Sequence, residues 1–344
     1  MAAGTQPVSL LDLRISLLSK VRDVGGTGTN ANSVSINDIA NSYLNTAVQD
    51  ININPNVMPY WLHRRGVLIT HAPYSTGTVS ITAATSRTAV VGSSTLWNTA
   101  VTGYGFNNAR IGGKMKFAGL NEIYTVSAVG SDTAITLESN YTGADLTAAT
   151  YVYFEDEYAL ASDFDKPVDA RLFSTDLNIP FIGPMEFRRR YARNDTSGKP
   201  RVATLNVLSS SGNTTPRPRL CLQPYPNDEY SIPYDYVTSN RAVSSAGVEQ
   251  AAMTADTDEP LMPLKYRHVP VAHALSNWLA DRKDDLERSL KAQKDYEQLM
   301  TRITNDAGIG MKDRPRLIAR AGFNGSRRGR RGRYSTNDDF DEMR

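Results

Sequence analysis

Apolar residues recur at helical spacing only towards the two ends of the chain. After Ser9, the residues Leu10, Leu13, Leu17, Leu18 and Val21 share one face, which predicts a helix over 9–21 with Asp12 placed to answer the Ser9 cap. Ser35 opens a second helix, in which Ile36, Ile39, Ala40, Tyr43, Leu44, Ala47, Val48 and Ile51 keep a three-and-four spacing until Pro55 and Pro59 forbid continuation. From Trp61 to about Tyr236 the spacing shortens to strict alternation, with Thr, Ser, Val and Tyr divided by Gly and Asn turns. Six or so short strands within 72–156 predict a small antiparallel barrel or sandwich. RVATLNVLS and RLCLQPYPNDEYSIPYDYV predict a second sheet within 170–240.

The helical period returns near Pro260. Leu264, Val271, Leu275, Trp278, Leu279, Leu286 and Leu290 form a stripe that predicts one long helix over 263–305, about 64 Å in length, kinked or restarted at Pro270. The second helix spans only about 25 Å, so the far end of such a helix would need cover from elsewhere, including neighbouring subunits. Together these patterns predict an α+β chain. A helical bundle domain built from 1–60 and 253–313 is interrupted by a β-rich region over 61–252, and an arm follows over 314–344.

Charge changes the picture at that arm. Arg314, Arg316, Arg320, Arg327, Arg328, Arg330, Arg331 and Arg333 fall in twenty residues without one Asp or Glu, leaving 30 basic against 36 acidic side chains elsewhere, a net −6. A mildly acidic body therefore carries a basic arm with little apolar content to fold by itself, the composition of an interaction segment. Asp338, Asp339, Asp341 and Glu342 then return much of the charge, which a simple phosphate binder would gain from omitting. The rest of the composition, 22% charged and 40% hydrophobic, is ordinary for a soluble chain of two or three domains. No apolar run approaches a membrane span and no secretory leader opens the chain, so the expectation is a soluble protein made in the cytoplasm.

Candidate chemistry is sparse. Cys221 stands alone, which excludes a disulfide framework and reads as a small buried strand residue. His268 and His273 are five apart and miss the helical geometry of a zinc site. Asp163 and Asp165 resemble the opening of a calcium loop but lack its glycine and terminal Glu, so turn or cap roles are expected. The glycine-rich GGTGTN at 25–30 follows no strand and lacks the Lys-Ser/Thr of a phosphate loop. Glu155, Asp156 and Glu157 read as a solvated run rather than a hydrolytic pair. Tyr225, Tyr230, Tyr234 and Tyr236 could stack bases, but at strand spacing they favour sheet packing. The sequons at Asn140, Asn194, Asn213 and Asn324 carry little weight without secretion. No metal, catalytic group or cofactor is expected.

The ordered segments GTVSIT, STLWNT, GGKMKFAG, IYTVSAV, TAITLES and ATYVYFEDEYALASDFD, then RPRLCLQPYPNDEYSIPYDYV and PLKYRHVPVAHALSNWLADRKDD, resemble the head-to-tail connector (adaptor) proteins of tailed bacteriophages over about residues 60–300. The resemblance implies a structural virion protein without enzymatic activity. It implies a homo-oligomeric ring of about twelve subunits at the head–tail junction, with double-stranded DNA passing through its channel. Portal protein on one side, reached by the C-terminal arm, and a tail or nozzle protein on the other would be its partners, with no membrane. Two readings of other classes compete: a sequence-independent DNA-binding protein that sets the arginines on phosphate, and a tail-associated glycan hydrolase.

Overall fold

The structure, a computed structural model, describes residues 8–21, 35–54, 59–82, 86–169, 171–173, 178–191, 195–208, 217–283 and 286–307. The chain is mixed α and β, with five α-helices and a curled antiparallel sheet among the described residues. It divides into two compact units. One is discontinuous, 1–61 with 241–344; the other is 62–240.

In the discontinuous unit, α1 (Leu10–Val21) starts at a reciprocal cap: the Asp12 amide donates to Ser9 Oγ at 3.4 Å, while the Ser9 amide donates to the Asp12 carboxylate at 3.2 Å. α2 (Ile36–Ile53) is capped by Ser35, which accepts from the Asp38 amide. Their predicted apolar faces are the buried ones. Leu10, Leu13, Leu17, Ala40, Leu44 and Ala47 form a core with Val271, Ala274 and Trp278 of α4 (Val269–Trp278). Residues 241–252, expected in the β region, belong here instead, within a small three-stranded sheet of 242–243, 249–250 and 259–260.

The long helix predicted over 263–305 is not one helix. A 3₁₀ turn at Leu264–Tyr266 leads to α4, with Pro270 in its first turn where no amide hydrogen is missed. A π-helical stretch, Leu279–Lys283, ends the run. α5 (Leu286–Ala307) then returns antiparallel to α4: Ser289 Oγ donates to the Ser276 carbonyl at 2.9 Å, His273 meets the Tyr296 ring edge-on at 4.5 Å, and Tyr266 OH donates to Asp306 at 2.8 Å. The two halves of the predicted helix therefore pack on each other, and the length of about 64 Å from which the need for outside cover was inferred is not formed.

In the unit 62–240, a seven-stranded antiparallel sheet has the order 146–149, 78–81, 89–93, 134–137, 123–131, 114–117, 151–154. Its two outermost strands are consecutive in the chain, separated by Thr150 alone, and Tyr74 bridges to Tyr153 through two 2.8 Å hydrogen bonds. The sheet thus curls until its ends meet within 146–154. Alternate residues fill the inside, among them Val79, Ile81, Met115, Phe117, Tyr124 and Tyr153, around a fully buried Trp97. Strand 63–69, not expected from the sequence, pairs along its whole length with 231–238, from His63 opposite Val237 to Ile69 opposite Ser231. The second sheet predicted within 170–240 is split: 231–238 lies between 63–69 and 164–167, 217–223 lies between 202–208 and 157–159, and 171–173 with 178–180 and 197–198 with 225–226 form two short pairs. The two three-stranded sheets share a core of Leu68, Phe164, Leu220, Leu222, Ile232 and Tyr234. A short helix, α3 (Pro184–Arg190), buries Phe187.

Candidate functional site

The eight arm arginines, Arg314 to Arg333, lie outside the described residues. Of the six predicted stripe residues, Val271, Trp278 and Leu279 are buried and Leu275 is half-buried. Leu264 (47% exposed) and Leu286 (66% exposed) are not core. The break at 279–285 explains the second: α5 turns Ser289, Ala292, Met300 and Ile303 inward, and its face is out of phase with the α4 stripe that Leu286 would have continued. Leu264 precedes α4 in a 3₁₀ turn of different period.

Two apolar stripes are left uncovered on this unit. On α1, Leu11 and Ile15 (58% exposed) lie one helical step round from the buried Leu10, Leu13 and Leu17, and Val8 just before the helix is exposed as well. On α5, Leu286 and Leu290 are four residues apart and both exposed. The stripes turn in different directions. Lys20, across α1 from Ile15, lines the α5 side of the helix and Arg288 donates to its carbonyl at 3.0 Å, whereas Leu286 and Leu290 point away from the α5 face that carries Arg288. The sequence pattern had assigned Leu290 to the buried stripe and passed over Ile15.

The acidic run 155–157 is not solvated as its composition suggested. Glu155 and Asp156 are 5% and 4% exposed. Arg110 grips Glu155 with two donors, one at 2.9 Å to Oε1, and Tyr153 OH donates to the same carboxylate at 2.6 Å. Lys114 reaches Asp156 at 2.7 Å and Glu157 at 3.5 Å. Burial disfavours the Lys114 charge, but the two carboxylates outweigh it and hold its pKa above the usual lysine range. Burial pushes the Glu157 carboxyl up, with Lys114 opposing. The Tyr153 hydroxyl is driven well above the tyrosine range by burial and by Glu155, so it serves as a donor. Glu155 and Asp156 are thus held by cations and hydroxyls at the foot of the curled sheet, an arrangement that stiffens the exit of strand 151–154 and leaves neither carboxylate facing a cleft as a proton-transfer pair would.

Other candidates have structural roles. Asp163 accepts from Thr238 Oγ1 at 2.7 Å and from Tyr236 OH at 3.0 Å, tying one strand end to another, while Asp165 is exposed. Tyr225 stacks on Phe154 with centroids 4.1 Å apart, and Tyr234 and Tyr236 are buried beside Phe164. Burial pushes the Cys221 thiol up to about 12, so it is not a nucleophile at neutral pH. His268 and His273 are both held low by burial, His273 lying 3.7 Å from Asp50. Among the described residues no three of His, Cys, Asp and Glu converge as a metal ion would require, and no helix is long and apolar enough to cross a membrane. No protein-family model matches the chain, and no curated protein matches it.

Proposed function

We propose that this chain is a ring-forming structural protein of a tailed-phage virion, an adaptor that joins the portal to the tail and surrounds the DNA channel at the head–tail junction. In this reading the helices at the two ends of the chain make one bundle domain, the β-rich residues between them are an insertion, and residues 314–344 are the arm that reaches the portal. The observation that carries it is the order of the chain. Helices from the two ends of the chain, α1 and α2 from the first part and α4 from the last, share one core, while 62–240 fold as a separate β-rich unit, the arrangement that the resemblance to connector proteins implies.

The exposed stripes of α1 and α5 support the same reading. Two different apolar patches facing different ways suit a head-to-tail contact, the kind that closes a ring when the rotation closes, whereas a two-fold dimer would use one patch twice. The net −3 outside the arm, 29 basic against 32 acidic side chains, suits a conduit through which DNA slides without sticking.

Native mass measurement of the purified chain, alone and with portal protein, tests this. A closed ring of about twelve subunits is expected, and Ile15→Asp combined with Leu290→Asp should yield folded single subunits. A parent chain that stays monomeric under both conditions overturns the reading. Charge reversal at Arg327, Arg328, Arg330, Arg331 and Arg333 should abolish portal attachment while rings still form. Retained portal docking with loss only of salt-sensitive DNA binding would give the arm to nucleic acid instead.

A further inference from the structure

Between the end of α1 and the α4–α5 hairpin lies a cleft of about 360 Å³. Ala272 and Ala292 sit buried at its base, Leu275 and Leu299 form half-buried apolar walls, and Lys20, His268, Arg302 and Asp295 stand around them. The rim is cationic beyond those groups. At 100° per residue, Arg288, Lys291, Asp295 and Arg302 share one face of α5, so between Arg288 and Arg302 one carboxylate stands among three cations, with Lys20 of α1 beside them; Asp306, further along the same face, is held by Lys265 and Tyr266. Among the described residues neither Lys20 nor Arg302 forms an ion pair. His268 at the same cleft is kept neutral, first by burial and then by Lys20 and Arg302, both close enough to press its charge away. The cleft therefore offers an apolar floor and two ready cations.

One segment of this chain outside the described residues has the complementary pattern. Asp338-Asp339-Phe340-Asp341-Glu342 sets a single aromatic between two acidic pairs. A ring on Leu275 and Leu299 would bring carboxylates within reach of Lys20 and Arg302, an apolar anchor beside charged groups. The tether is long enough. Thirty residues separate Ala307 from Asp338 and span up to about 100 Å when extended, while Arg302 is only five residues, about 7.5 Å along the axis, before the end of α5. Attachment to the same chain also raises the local concentration of the segment far above that of a free peptide.

We infer that Asp338–Glu342 folds back into the cleft between α1, α4 and α5 of its own chain, with Phe340 on the apolar floor and the flanking carboxylates on Lys20 and Arg302. This inference is independent of the adaptor reading: it would hold for any protein with this cleft and this tail.

Zero-length carbodiimide coupling of the full chain, mapped by peptide mass spectrometry, tests it. Mixtures of isotopically heavy and light copies separate contacts within a chain from those between chains. Lys20 should couple to Asp338, Asp339, Asp341 or Glu342 in same-label pairs. Arg302→Glu and, separately, Phe340→Ser should lower that yield by about tenfold or more, with unchanged helical circular dichroism as the folding control. Hydrogen exchange along 268–275 and 292–302 should quicken in the Phe340→Ser chain. Coupling of Lys20 only to residues 22–34, coupling only in mixed-label pairs, or exchange unaltered by Phe340→Ser would each overturn the inference.

Discussion

Lys114 shows how a single side chain can be committed to a charge that the sequence disguises. Its ammonium is largely buried and sits 2.7 Å from Asp156, itself almost without solvent. Replacing it by Met would leave a buried carboxylate without its cation, at a cost of about 3 kcal/mol in unfolding free energy. The pH dependence follows from the raised lysine pKa. A raised pKa contributes stability fully present below the unfolded value, near pH 10.5, and lost as the pH climbs through the higher folded value. Chemical denaturation should therefore find the gap between parent and Lys114→Met steady from neutral pH to about 10 and narrowing only beyond it. A gap that is flat across the whole range would show that the pair contributes nothing. Close packing adds its own constraint here, because a Cβ on Gly113 would land on the Tyr153 ring that holds Glu155. None of this was visible along the chain. FEDEY reads as a polar run because its partners, Arg110 and Lys114, stand more than forty residues away and reach it only through the sheet register that sets 114–117 beside 151–154.

At the scale of elements, the caps and faces of α1 and α2 were legible because their signals are local: a Ser, an Asp three residues on, and apolar residues at three-and-four spacing. The turn between α4 and α5 was not, for the opposite reason. LADRKDDLERSL contains no Gly or Pro and is made mostly of good helix formers, so no strong local signal ends a helix there. Tertiary gain decides: folding back lets Ala292, Met300 and Ile303 bury against α2 and α4 rather than face water. The two members of the stripe therefore differ in weight. Trp278→Ala, at a position with no exposure and ringed by α1 and α2, should cost about 3–5 kcal/mol. Leu275→Asp places its charge at a half-open cleft wall beside cations and should cost less than Trp278→Ala. Thermal melts of the two variants check the order, and equal losses would mean that the cleft is closed to solvent.

Across the whole chain, alternation was enough to anticipate the curled sheet, since Val79, Ile81, Met115, Phe117, Tyr124 and Val126 declare one face without help from context. Strand 63–69 was missed because HRRGVLI starts with three cationic or polar side chains and a glycine, and its place is fixed by the partner 231–238 rather than by its own pattern. The Tyr74–Tyr153 bridge brings the two ends of the curled sheet side by side. Excising 75–152 and joining the ends through a short glycine linker should thus leave the remaining β-unit core of Leu68, Phe164, Leu220 and Ile232 folded, as read by a cooperative melt of the shortened chain. An insoluble product at every linker length would show that the curled sheet is needed to fold the rest.

The pairing of 63–69 with 231–238 also has a mechanical meaning. The β unit is joined to the rest of the chain at Leu62 and Asn240, and His63 and Val237 face each other at the same end of one antiparallel ladder. Tension applied between those two junctions would peel the ladder open from His63 towards Ile69, breaking its hydrogen bonds one after another rather than shearing them all at once. The β unit closes on a weak, sequential clasp where its two chain connections meet, so a pull transmitted along the polypeptide would release that clasp before it strained the curled sheet.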